Sequence, residues 1–141
     1  MKQLLHFITI GVDNLDIMKN WYKEKFGWKP LFESEGVVFF KLNGFILGLF
    51  PSDELAKDIG VPQDGKGLKR FSLAINFRSA EEVDKACDDL RKKGVKIMKE
   101  PQKVFWGGYH GYIADAEDNY WELAYNPSLE LDAQENVVGH E

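Results

Sequence analysis

Three side chains in the C-terminal half of the chain could do chemistry together. The runs Tyr109-His110-Gly111-Tyr112-Ile113-Ala114 and Tyr120-Trp121-Glu122-Leu123-Ala124-Tyr125 flank a polar turn, Asp115-Ala116-Glu117-Asp118-Asn119. Pairing Ala114 with Tyr120 across that turn sets Tyr112 opposite Glu122 and His110 opposite Ala124. Directly paired residues share a face of a sheet, so an imidazole, a phenol and a carboxylate fall side by side. Such a set can orient a polar ligand, or act with Glu122 as base and His110 or Tyr112 as acid. Burying Glu122 among apolar neighbours demands a partner, and His110 and Arg70 are the candidates. Nearby, Phe105-Trp106-Gly107-Gly108-Tyr109 sets two glycines between aromatics. That composition suits a close ligand approach or, equally, a bulged strand start at a sheet edge. Other chemistries lack support. There is no Gly-x-Gly-x-x-Gly, P-loop or Gly-x-Ser-x-Gly motif. Cys87 lies on an apolar helical stripe and reads as a core thiol. Arg91-Lys92-Lys93 ends the same helix, where cations suit its dipole.

These residues are positioned by elements that occur twice. The first half reads FITIGV (7–12), a helical stretch Leu15 to Phe26, Gly27, a strand near Pro30–Glu33, VVFFKL (37–42), Asn43-Gly44 and FILGLF (45–50). The second reads FSLAINF (71–77), a helical stretch Ala80 to Lys93, Gly94, a strand at Val95–Lys99, YHGYIA (109–114) and YWELAY (120–125). The order in each half is strand, helix, strand, strand, strand. Asp13 or Asn14 caps the first helix, and Ser79-Ala80-Glu81-Glu82 is a capping box for the other. Asn43-Gly44 between apolar runs signals a hairpin that pairs Phe40 with Leu47. The segment Pro51 to Lys69 is expected to hold a short helix near Asp53–Lys57 and a connector, GVPQDGKG. The last 14 residues, from Ser128, are expected to be a mobile tail or a late-docking segment.

Tandem βαβββ modules carrying TIGVDNLDIMKNWYKEKFGWKP (9–30) and GYIADAEDNYWELAYNP (111–127) resemble the vicinal oxygen chelate superfamily. This is the group of glyoxalase I, bleomycin-resistance proteins and extradiol dioxygenases. The second segment resembles the family's Asp-Pro-Asp-Gly-Asn turn and Glu-bearing last strand, although the Pro and Gly are absent here. The resemblance spans residues 4–127 and implies an α+β fold. In it, two tandem βαβββ modules (4–51 and 70–127, joined by 52–69) form a curved, cup-like mixed sheet with helices outside. It also implies a homodimer, with modules paired within or between chains. In catalytic relatives the first and last strands of each module supply ligands to one divalent metal. The corresponding positions here read Phe7, Leu47, Phe71 and Glu122, and a single carboxylate holds a metal poorly. No metal or other cofactor is therefore expected. The alternative is a shifted divalent site, with His110 beside Glu122, or with His6 turned inward by a bulge. Without a bulge, a strand's period of two sends His6 away from Phe7.

The residues expected to face the cup are Phe7, Thr9, Phe40, Leu47 and Leu49 from the first module. The second contributes Phe71, Leu73, His110, Tyr112 and Glu122, with Trp106 at the rim. Lys41 is expected on the helix side beside Ile46, where its charge must snorkel. An aromatic lining with a few polar groups suits a partly apolar small molecule. If side chains fill the cup, the same residues are core. The leading expectation is a small-molecule-binding protein of the glyoxalase/bleomycin-resistance type. The alternative is an isomerase, lyase or dioxygenase-like enzyme, and a weaker one is a module whose sheet edge pairs with a partner chain.

Composition agrees with a globular domain: 141 residues, 44% hydrophobic and 29% charged. No apolar run reaches the roughly 18 residues of a membrane span, and no signal peptide is read. A net charge of −5 argues against a nucleic-acid partner. Four of the 23 acids lie in the last 14 residues, leaving 19 acids against 18 basic residues in 1–127, so the acidity is mostly in the tail. The lone cysteine suits a cytoplasmic location. Aromatic residues number 19, and two of them, Phe7 and Phe71, occupy implied ligand positions.

Overall fold

Each half of the chain wraps one face of a four-stranded sheet around a helix. The structure, a computed structural model, describes residues 1, 3, 5–60, 62–64, 69 and 71–141. It divides into two units, Met1–Gly65 and Lys66–Glu141. The division falls inside the GVPQDGKG connector, half of which, like Arg70, lies outside the described residues.

The first unit contains β1 (Phe7–Val12), α1 (Leu15–Lys25), β2 (Phe32–Glu33), β3 (Val38–Lys41), β4 (Ile46–Pro51) and α2 (Ser52–Ile59). The sheet order is β1-β4-β3-β2, with β1 parallel to β4 and the other pairs antiparallel. Asn14 caps α1 by accepting from Ile17 N at 3.0 Å, and Gly27 follows its end at φ +70°, a left-handed conformation that glycine adopts without steric cost. Tyr22 is fully buried and stacks on Trp28 at 5.6 Å, and both rings reach Phe40 at 5.9 Å. With Met18, Val38, Leu47 and Leu49 they form the apolar core between helix and sheet.

This core corrects the expected faces. Phe40 does pair with Leu47, but both side chains pack on the helix side and are buried at 1% and 0% exposure. Leu49 is buried with them. The helix-free face instead carries Phe7 and Thr9, which pair with Ile46 and Gly48, together with Phe39 and Phe32. The parallel β1–β4 register aligns Phe7 with Ile46 rather than Leu47, and one step reverses every side chain. Lys41, paired with Ile46, is accordingly exposed on that open face and does not need to snorkel past the helix. His6 precedes β1, is exposed, and its carbonyl accepts from Ile46 N at 2.8 Å.

The second unit repeats the plan with β5 (Leu73–Phe77), α3 (Ala80–Lys92), β6 (Lys96–Lys103), β7 (Tyr109–Ala114) and β8 (Tyr120–Tyr125), in the order β5-β8-β7-β6. Ser79 Oγ accepts from Glu82 N at 3.2 Å, while the Glu82 carboxylate accepts from Arg78 N at 2.6 Å, one residue beyond the N-cap of the usual reciprocal bond. Val83, Cys87, Leu90, Ile113, Trp121 and Leu123 are buried between α3 and the sheet. Burial pushes the Cys87 thiol above its ordinary range, as befits a core thiol. The last residues, expected as a mobile tail or a late-docking segment, form a hairpin, β9 (Leu129–Leu131) and β10 (Val137–His140). Its turn forms because Asp132 accepts from Gln134 N and Asn136 N at 2.8 and 2.9 Å, with Glu135 at φ +67°. Arg78 anchors it through the Asp132 carbonyl at 2.6 Å.

Candidate functional site

The turn at 115–119 sets the register on which everything else in the second sheet depends. Asp115, only 5% exposed, accepts from Glu117 N at 2.9 Å, Asn119 N at 2.9 Å and Asn119 Nδ2 at 2.7 Å. Asp118 takes φ +60° between them. This network replaces the missing Pro and Gly, and it leaves Ala114 paired with Tyr120 and Tyr112 with Glu122.

Cross-strand pairing then builds a row on the helix-free face: Ala74 in β5, Glu122 in β8, Tyr112 in β7 and Lys99 in β6. The adjoining row is Asn76, Ala124, His110 and Gln102. Trp121, Leu123 and Ile113 point the other way, into the helix core. Two bulges in β6 are required. A count of two from Ile97, which pairs with Ile113, would send Lys99 to the helix side; the register shift between them turns it to the open face. The second shift, around Pro101, depends on Gly111, where a Cβ would stand 2.8 Å from the Lys99 carbonyl oxygen.

The polar groups join into one chain. Tyr112 Oη donates to Glu122 Oε2 at 2.7 Å, and His110 Nδ1 lies 3.1 Å from the same oxygen. On the other side of the imidazole, Lys99 Nζ lies 3.3 Å from Nε2. An ammonium can only donate, so Nε2 is the acceptor and Nδ1 carries the proton that Glu122 accepts. The hydrogen-bonding partners thus assign a neutral imidazole in its Nδ1–H tautomer. His110 is 8% exposed, and the Trp106 ring meets it edge-on at 6.1 Å. The hydrogen bond to Glu122 raises the Tyr112 phenol above its ordinary range, with burial adding to it and the Ser72 hydroxyl opposing it. Among the described residues, both contacts to Glu122 fall on Oε2, which leaves Oε1 open to a donor.

The predicted residues separate accordingly. His110, Tyr112, Glu122 and Trp106 come together in the second unit. Leu73 pairs with Trp121 and shares its helix-side face, contrary to expectation. Phe71 precedes β5 and is 46% exposed. Counting back equally from the helix caps, Ser72 rather than Phe71 corresponds to Phe7, and Gly48 rather than Leu47 corresponds to Glu122. The Ser79 cap was the signal that could have found Ser72. Lys99 was hidden by the bulge, and Gln102 by the strand extending past Pro101.

The implied metal does not fit these residues. The corrected positions read Phe7, Gly48, Ser72 and Glu122, and among the described residues no three His, Cys, Asp or Glu side chains cluster to hold an ion. His110 and Glu122 supply two donors, but Nε2 already faces an ammonium and Nδ1 a carboxylate.

Fold and site together define a tandem βαβββ protein of the glyoxalase class. A family model for the Glyoxalase/Bleomycin resistance protein/Dioxygenase superfamily matches residues 4–123, and the chain belongs to that superfamily. Among solved structures it resembles a glyoxalase-related enzyme from Fulvimarina pelagi, with 30% identity, a TM-score of 0.87, and coverage of 99% of this chain and 100% of that one. Its fold is also shared by a lactoylglutathione lyase from Agrobacterium tumefaciens (20% identity, TM-score 0.71, covering 89% and 95%). The fosfomycin resistance protein FosX from Listeria monocytogenes is similar at 21% identity and TM-score 0.69, again covering 89% and 95%. No curated protein matches the sequence. Among the described residues no helix is long and apolar enough to cross a membrane.

Proposed function

We propose that this chain binds a small molecule on the helix-free face of the second sheet, without the metal that catalytic relatives use. One observation carries the reading: a carboxylate, Glu122, held by Tyr112 and His110 on a sheet face with no covering helix of its own unit. A polar network of this kind is costly as mere filling, since apolar residues of the same shape would serve a core at least as well. Beside Glu122 the row places Ala74, a small and exposed side chain. The ligand presents a hydroxyl or amine to Glu122 Oε1 and an apolar or aromatic body toward Trp106. Catechol is a fitting probe, since its hydroxyls donate and its ring stacks. Titration followed by the His110 ring resonances should show saturable shifts, lost in Glu122→Gln. Absence of any shift with catechols, aromatic antibiotics and thiol conjugates alike would refute the reading.

The chain of hydrogen bonds favours a second reading, a metal-free enzyme. Glu122 as base and Tyr112 as acid stand 2.7 Å apart, and the imidazole holds the carboxylate oriented. Turnover of a substrate found by screening should fall at least 100-fold in Glu122→Gln, in line with the usual contribution of a general base. Unchanged turnover would leave the carboxylate a binding group only.

A further inference from the structure

Lys99 has a partner that does not neutralise it. Four cations of the second unit are ion-paired: Arg91 with Glu100 and Asp88, Lys96 with Asp118, Lys85 with Asp89 and Arg78 with Glu135. Among the described residues no carboxylate stands within salt-bridge distance of Lys99, and its ammonium hydrogen-bonds to the neutral Nε2 of His110. An ammonium that donates one N–H to an imidazole keeps its full charge and two more N–H groups. The bulge after Ile97 is what turns this lysine onto the site face, beside Tyr112. His110 also fixes where the charge sits, which reduces the ordering cost of capturing a ligand group there.

We infer that Lys99 is an anion-binding residue of the Glu122 site, and that the ligand carries an oxyanion, a carboxylate or phosphonate, beside its hydrogen-bond donor. This rests on the small-molecule reading above and specifies it. The row sets the geometry. Glu122 and Lys99 flank Tyr112 on neighbouring strands, so the donor and the oxyanion are separated by about two strand spacings, on the order of 10 Å at most. The ligand is then a compact hydroxy or amino acid with an apolar body. Oxyanion and ammonium meet at the exposed rim, while the donor reaches the more buried carboxylate. Glu122 and Lys99 divide the ligand's charge pattern between them, so a neutral analogue leaves the lysine unanswered and a dianion without a donor leaves Glu122 unanswered.

The test compares 3-hydroxybenzoate with its neutral isostere 3-hydroxybenzamide, and adds phenylphosphonate as the other oxyanion. Binding is read by titration of the His110 and Trp106 ring resonances of the full chain. The acid should bind about tenfold tighter than the amide, as a charge-assisted contact does, and added salt should weaken only the acid. Lys99→Met should abolish that difference, and Lys99→Arg should retain it. Equal affinity of acid and amide, or a preference that survives Lys99→Met, would overturn the role of Lys99 while the pocket stands. If acid, amide and phosphonate all leave the rings unmoved, the binding reading falls as well. Tighter binding of phenylphosphonate, which carries no separate donor, than of the hydroxybenzoate would overturn the two-point geometry of Glu122 and Lys99.

Discussion

The row Thr9, Gly48, Phe39, Phe32 crosses the first sheet where Ala74, Glu122, Tyr112, Lys99 crosses the second. Thr9 stands five residues before the Asn14 cap and Ala74 five before the Ser79 cap, so the two rows occupy equivalent places. The strand order is the same, with a parallel first-to-last strand pair and antiparallel neighbours. The edge strand differs, since β6 carries two register shifts and β2 none, and so do the side chains. On the first open face, phenylalanine rings pack on one another, Phe7 with Phe39 at 5.4 Å and Phe32 with Phe39 at 5.8 Å. In the second, a phenol, an imidazole and an ammonium surround one carboxylate. A repeated scaffold therefore fixes where a site can stand, and residue type at four row positions decides whether chemistry stands there.

The sharpest break between core face and open face should be a core deletion. Phe40→Ala removes a ring that packs against both Tyr22 and Trp28 and should cost about 3–5 kcal/mol in denaturant unfolding. Phe39→Ala, one residue away on the open face, should cost about 1 kcal/mol or less. Equal costs would undo the assignment of faces in the first sheet.

Two glycines test the sheets against each other at the next level. Gly111→Ala brings a methyl against the Lys99 carbonyl and should destabilise by about 1–3 kcal/mol, displacing the bulge that turns Lys99 outward. At Gly48 a Cβ would meet Thr9 Oγ1 at 3.4 Å and the Phe39 ring at 3.5 Å, ordinary contacts. Gly48→Ala should be neutral or stabilising by up to about 1 kcal/mol, since it restricts the unfolded chain. The opposite signs are readable from melting curves of the two variants.

These contrasts show which parts of the molecule were legible in the sequence. Both modules were, because the caps Asn14 and Ser79, the terminators Gly27 and Gly94, and the Asn43-Gly44 turn act locally. The Tyr112–Glu122 pair was also legible, because a short turn fixes an antiparallel register. The parallel pairing of β1 with β4 was not. No turn joins those strands, so their alignment is set by packing across α1, and a slip of one residue placed Phe40 and Leu47 on the wrong face. Lys99 was illegible for a related reason: a bulge changes parity without leaving a mark in the hydrophobic pattern, and Pro101 argued for ending the strand early. The C-terminal hairpin depends on a side-chain turn at Asp132 and on Arg78 from elsewhere in the unit, and its polar composition alone looks like a tail.

Within the site, Glu122→Gln separates hydrogen bonding from charge. The carboxylate is the first cause of the raised Tyr112 phenol, so the amide should bring its titration back toward the ordinary range near 10. Difference absorbance of Glu122→Gln with and without Tyr112→Phe isolates that one phenol. A Tyr112 titration that does not move would show that burial, not Glu122, holds it up. Phe39 offers no such group in the first row, so the effect is confined to the second unit.

The smallest effect concerns how the helices are tied to their sheets. In the first unit α1 is held by apolar and aromatic contacts around Tyr22. In the second, a titratable tie is added: Tyr109 Oη donates to Asp84 Oδ1 on α3 at 2.6 Å. That bond, reinforced by burial and by the Asp84 charge, pushes the phenol up from 10.0 to about 12. Unfolded, the phenol loses its proton near 10, whereas folded it keeps it until about 12. Between those values the unfolded state binds fewer protons, so stability falls as pH rises. The contribution is whole below about pH 10 and gone above about 12. Tyr109 lies near the surface, and solvent screening keeps the slope shallow. Tyr109→Phe should flatten it, and hydrogen exchange on α3 amides should quicken with pH beyond the intrinsic rate in the native chain but not in the variant. Exchange on α1 should be the same in both proteins. If α1 and α3 respond alike, the tie is not local to the second unit and the contrast between the two helix attachments fails.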